Sequence, residues 1–146
     1  MQTSKEASEE EKLNSLVVEV RVLEGTYNEL TSRQTLLERA LLESRSALEA
    51  INGLGEKPTS EVLIQIGGGA MLKAPPPATD KVLVNIGASV VTEKTREEAV
   101  AILEARNKEV EKTVFSLINQ RNEIAERLEA DRQLLQTLLA QQGQKG

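Results

Sequence analysis

Apolar residues recur at steps of three and four along two long stretches of this chain, and between those stretches the spacing falls to about two. The first stretch selects Leu13, Leu16, Val20, Leu23, Tyr27, Leu30, Gln34, Leu37, Leu41, Ser44, Leu48 and Ile51, of which only Gln34 and Ser44 are polar. A 3,4 alternation held over more than five heptads predicts a helix with a coiled-coil seam. Asn52-Gly53 and Gly55 predict where that helix stops.

The second stretch selects Val100, Leu103, Asn107, Val110, Val114, Leu117, Arg121, Ile124, Leu128, Asp131, Leu135 and Leu138, with three polar interruptions. Thr95 is the expected N-cap, and Glu98 three residues on completes a capping box. Gly143 and Gly146 mark a frayed end. Both seams cover 38 residue steps, roughly 57 Å of helix at ~1.5 Å per residue. Equal seams separated by 48 residues predict one antiparallel helical hairpin. If Ile51 and Val100 begin the pairing, the numbers of facing residues sum to 151. That register sets Ser44 opposite Asn107, Arg121 opposite Leu30 and Asp131 opposite Val20. A polar layer of the Ser44/Asn107 kind fixes register at some cost in stability.

The insert reads as two β-hairpins. Glu61 to Ile66 form one strand, Gly67-Gly68-Gly69 a turn, and Ala70 to Lys73 the return. A stiff connector follows, Ala74-Pro75-Pro76-Pro77-Ala78-Thr79-Asp80. Lys81 to Ile86 then form a strand, Gly87-Ala88 a turn, and Ser89 to Lys94 the return. The hairpins repeat at an offset of 20, with Val62/Val82, Leu63/Leu83, Ile66/Ile86 and Gly67/Gly87 identical.

Two-stranded hairpins are marginal alone in water, and these are apolar on both faces with open edges that invite more strands. Val62, Ile64, Ile66, Val82, Val84, Ile86 and Val90 are the expected oligomerisation residues. The expected architecture is α+β: a long antiparallel two-helix coiled coil whose two tandem β-hairpins join an oligomeric β-barrel core. The alternative is a monomer with a small four-stranded sheet, which leaves its two faces in need of cover. The chain reads as a single domain, 1–146, with a coiled-coil helix at 13–52, the hairpins at 61–94 and the second helix at 96–140.

Composition narrows the function. There is no His, no Cys and no Trp, and the two rings are Tyr27 and Phe115. Most zinc, copper, haem and iron–sulfur sites lack their ligands, and His-dependent triads lack their base. Gly67-Gly68-Gly69 before Lys73 does not have phosphate-loop spacing, and a strand rather than a helix follows. Carboxylates such as Glu97-Glu98 read as a solvated helix coat. No enzyme activity and no cofactor are expected. Eighteen basic against 23 acidic residues give a charge of −5, which does not suit nucleic acid. No run reaches the ~18 apolar residues of a membrane span, and the polar start, Met1 to Glu6, has no apolar signal region. A cytoplasmic protein is expected.

Apolar residues off the seam remain to be explained. Val17, Val18 and Val22 lie beside the first seam near its N-terminal end, and Leu134 and Leu139 beside the second near its C-terminal end. Antiparallel pairing brings these ends to one tip. They either widen the helix contact or form a mildly apolar surface for other proteins.

Helix, two tandem hairpins, helix resembles the alpha-class subunit of prefoldin. The resemblance runs from about Leu13 to Leu139. Its most specific stretch is Asp80-Lys81-Val82-Leu83-Val84-Asn85-Ile86-Gly87-Ala88-Ser89-Val90-Val91-Thr92-Glu93-Lys94-Thr95, leading into Glu97-Glu98-Ala99. The first hairpin matches more loosely, since Ala70-Met71-Leu72 lacks the aromatic common in that strand. The resemblance implies a hexamer of two alpha and four beta-type subunits, joined by β-barrels, that holds non-native client proteins without ATP and passes them to a group II chaperonin. By position alone it implies client contact at Leu13, Leu16, Val17, Val18, Leu134, Leu135, Leu138 and Leu139.

Overall fold

The computed structural model describes residues 2–56 and 61–144. Its elements in chain order are α1 (Gln2–Glu56), β1 (Val62–Gly67), β2 (Ala70–Ala74), β3 (Lys81–Gly87), β4 (Val90–Thr95) and α2 (Arg96–Gln144). The chain divides into two compact units, Met1–Glu38 with Lys112–Gly146, and Arg39–Glu111.

The first unit is a pair of helices held by the seam. Every seam position of α1 from Leu13 to Leu37, and of α2 from Val114 to Leu138, is buried or half-buried. Val20, Leu23 and Leu128 form its core, with Ile124 packed against them. Burial of this kind, at about 1.5–3 kcal/mol for a fully buried aliphatic side chain, holds the helices together. Arginines from α2 close the flanks: Arg132 meets Glu24 at 2.7 Å, and Arg127 pairs with Glu19. Arg121 Nη1 donates to Gln34 Oε1 at 2.9 Å. Instead of resting against Leu30, the long arginine reaches the next polar seam position, so each interruption satisfies the other.

In the second unit, no seam position from Leu41 to Ile51 or from Val100 to Val110 is exposed. Leu41, Asn107 and Ala99 are buried, Ser44 is half-buried, and Arg45 meets Glu111 at 2.7 Å. The ion pairs report the register. The partner numbers of Glu24–Arg132 and Arg45–Glu111 sum to 156, and those of Glu19–Arg127 to 146. With Leu13 at heptad position a, these are e–e and g–g pairs, and they bracket a seam whose facing positions sum to 151, the register expected from the two patterns.

The helix stop expected at Asn52-Gly53 is absent. The α1 helix runs through both glycines to Glu56, and neither Gly53 nor Gly55 has the positive φ of a C-terminal cap. Once a helix is nucleated each further residue adds a hydrogen bond, and a glycine costs only about 1 kcal/mol against alanine. Gly143 likewise lies inside α2; Gly146 lies outside the described residues. At the other junction the sequence is followed closely. Thr95 Oγ1 accepts from Glu98 N at 3.2 Å, and Thr95 N donates to Glu98 Oε2 at 3.4 Å. These two bonds are the expected capping box, and they let β4 pass into α2 with no residue between.

The hairpins form two separate two-stranded antiparallel sheets, β1-β2 and β3-β4. The offset of 20 persists in their geometry. Val62 pairs with Ala74 and Val82 with Lys94, and each ladder shifts once, between Gln65 and Gly67 and between Asn85 and Gly87. The two-residue turns are Gly68-Gly69 and Ala88-Ser89, one place later than the expected Gly87-Ala88. All four residues have positive φ, as a type I′ turn requires to match the strand twist.

Candidate interaction surfaces

The two hairpins share a pattern but differ in cover. In the second, Val84 is 5% exposed, while Val82, Thr92 and Lys94 on the same face are half-buried. Arg106 Nη2 on α2 donates to the Asn85 carbonyl at 2.6 Å, and Arg96 N donates to the Asp80 carbonyl at 3.1 Å. These two hydrogen bonds tie the hairpin to α2. Its other face carries Leu83, 70% exposed, and Val91. In the first hairpin only Val62 and Ala74 are half-buried, and Leu63, Ile64, Ile66, Met71 and Leu72 are exposed across both faces. Of the expected oligomerisation residues, Ile64, Ile66, Ile86 and Val90 are therefore exposed, Val62 and Val82 half-buried, and Val84 covered within its own unit. The strands are apolar on both faces, as their sequence predicts, although the expected oligomerisation set names neither Leu63 nor Leu83. The exposed Leu63 and Leu83 on the opposite faces complete the apolar area.

At the end of the first unit, α1 begins and α2 finishes side by side. Of the residues expected there, Leu16 is buried in the seam and Leu13, Val17, Leu135 and Leu138 are half-buried. Val18, Leu134 and Leu139 are exposed, at 60%, 52% and 51%. Val22, one turn from Val18, is equally exposed. By register Val17 falls opposite Leu139 in the same e–e relation as Glu24 and Arg132. A shallow groove beside Leu134 and Leu138 is edged by Ser8, Lys12, Ser15 and Glu19. Leu134 is open to solvent there and Leu138 half-buried. The surface is shallow and aliphatic, with charges at its edge, and suits extended apolar chains better than a fixed small ligand. Among the described residues no three His, Cys, Asp or Glu side chains are grouped to hold a metal ion, and no helix is long and apolar enough to cross a membrane.

The model of the prefoldin subunit family matches residues 23–141. The chain belongs to the prefoldin family. Its relatives place it in the alpha class. It is 42% identical over 101 residues to prefoldin subunit alpha of Methanoregula boonei, covering 64% of this chain and 66% of that protein. It is 34% identical over 138 residues to prefoldin subunit alpha of Methanocorpusculum labreanum, covering 87% and 92%. The cryo-EM structure of filamentous PFD from Methanocaldococcus jannaschii superposes with a TM-score of 0.65 at 22% identity, over 77% of this chain and 93% of that one.

Chaperone co-factors act by contact, and this alpha-class prefoldin subunit leaves aliphatic side chains uncovered in two settings, on strands and beside a helix seam. Off-seam exposure at heptad positions c and f is the signal that marks Val18 and Val22. The seam leucines at the same end carry no such mark, because the pattern that selects them is the one that pairs the helices.

Proposed function

We propose that this chain is one subunit of an ATP-independent holdase. Its hairpins join those of beta-type subunits, two alpha with four beta, in a β-barrel core. The ends of its helix pair capture unfolded polypeptides in the cytoplasm, and the assembly transfers them to a group II chaperonin. The observation that carries the reading is the exposure of Val18, Val22, Leu134 and Leu139 at one end of the helix pair. Each contributes a weak, non-directional contact. Several such ends in one assembly convert weak contacts into useful avidity, with no need for a sequence motif in the client. Leu13, Leu16, Val17, Leu135 and Leu138 lie beside them and complete the proposed contact region.

The test replaces Val18, Val22, Leu134 and Leu139 with serine in the full chain. All four are exposed, so helix content and assembly size should be kept, while suppression of aggregation of guanidine-unfolded lysozyme should fall at least severalfold. Suppression equal to that of the unsubstituted chain would remove the capture assignment. A structural adaptor with one specific partner gives a different outcome: no suppression for unrelated unfolded proteins, and saturable binding of a single folded one.

A further inference from the structure

We propose that Pro75, Pro76 and Pro77 keep the two hairpins of one chain from pairing with each other, and so leave their edges to the hairpins of other subunits. This rests on the hairpin joint of the reading above and names the residues that direct it. The hairpins repeat one pattern and carry exposed aliphatic residues, and only residues 75–80 separate them. A four-stranded sheet closed within the chain therefore competes with any joint between chains. A short flexible link holds its two ends at ~mM effective concentration, more than a separate subunit supplies in dilute solution. Yet each hairpin remains a sheet of two strands. Among the described residues no strand of one hairpin lies beside a strand of the other.

The prolines supply the reason. Pairing β2 with β3 requires the chain to reverse and bring two strands to the ~4.8 Å spacing of neighbours in a sheet. Proline fixes φ near −65° and has no N–H with which to close a turn. It also pushes the residue before it out of the helical region. Ala74, Pro75 and Pro76 each precede a proline, so three successive residues favour extended backbone. In polyproline geometry three residues carry the chain roughly 9 Å straight on from the end of β2. Residues 75–79 accordingly contain no turn or helix. The far end of the connector is held in place, because the Asp80 carbonyl accepts from Arg96 N at 3.1 Å. Only Pro77, Ala78 and Thr79 remain to reverse the chain. Pro75, Pro76 and Pro77 are all exposed, so packing does not account for them.

Pro75→Gly, Pro76→Asn and Pro77→Gly together in the full chain test this. The new residues favour turns and restore the missing N–H groups. In the isolated chain, hydrogen exchange of the amides in 70–74 and 81–87 should slow about tenfold. The slowing should be the same at every protein concentration, which marks pairing within one chain. After co-expression with a beta-type partner, the yield of full-size assembly should fall at least severalfold. Unchanged or faster exchange in these strands overturns the proposal. So does slowing that grows with concentration, or slowing with undiminished assembly. If the unsubstituted chain forms no assembly with such a partner, the hairpin joint itself fails. The exchange data need no partner and separate that failure from a failure of the proline connector.

Discussion

Gly55 and Arg96 compete for one volume. A Cβ on Gly55 would lie 1.6 Å from Arg96 Nη1 and 2.7 Å from its Cζ. Gly55 therefore makes room for a side chain from the start of α2 and does not cap α1. The last turn of α1 contains no basic residue of its own. Arg96 brings a cation beside that turn, where positive charge is worth about 0.3–1 kcal/mol. Gly55→Ala gains about 1 kcal/mol of helix propensity but forces the guanidinium aside, so the net change in unfolding free energy should be close to zero. In an Arg96→Ala background the same substitution should stabilise by about 1 kcal/mol. Urea unfolding of the four variants measures the difference, and equal effects in both backgrounds would show that the two residues do not interact.

Ala88 and Ser89 carry out in the second hairpin what Gly68 and Gly69 do in the first. Their φ values are +48° and +63°, against +58° and +80° for the glycines. A side chain in that region costs about 1–2 kcal/mol per residue, asparagine and glycine much less. Ala88→Asn with Ser89→Gly should raise the stability of the second hairpin by about 1–2 kcal/mol, read as slower exchange of the amides in 81–95. Gly68→Ala with Gly69→Ser should lower that of the first by a similar amount. No change in either hairpin would mean that the turns do not limit them.

Much of this structure is legible in the sequence because much of it is local. The seams depend on spacing alone, and none of their 24 positions is exposed. The capping box needs only Thr95 and Glu98. Events between elements were harder to read. Nothing near Gly55 announces Arg96, 41 residues later, so a glycine that makes room resembles one that ends a helix. Val84 and Ile64 occupy equivalent places in the repeat, yet one is 5% exposed and the other 49%. The difference comes from attachment. The β4 strand passes directly into α2 at Thr95–Arg96, and Arg106 reaches back to the Asn85 carbonyl. In the first hairpin, β2 ends at Ala74 and residues 75–80 follow it.

The unequal cover of the hairpins separates folding from assembly, which the strand pattern alone cannot do. Val84→Asp puts a charge at a position that is 5% exposed in the single chain, an error worth several kcal/mol. It should lower the stability of the second hairpin and disrupt assembly together. Leu83→Asp, on the opposite and exposed face of the same strand, removes no contact within the subunit. Ile64→Asp in the first hairpin acts on an exposed position too. Both should leave urea unfolding of the isolated chain within about 0.5 kcal/mol of the original, yet reduce assembly mass measured after co-expression with a beta-type partner. In the proposed barrel, exposed aliphatic strands gain cover from a second chain, and a charge there prevents it. If Leu83→Asp and Ile64→Asp assemble at full size, the hairpin faces are not the joint between subunits, and the barrel arrangement fails with them.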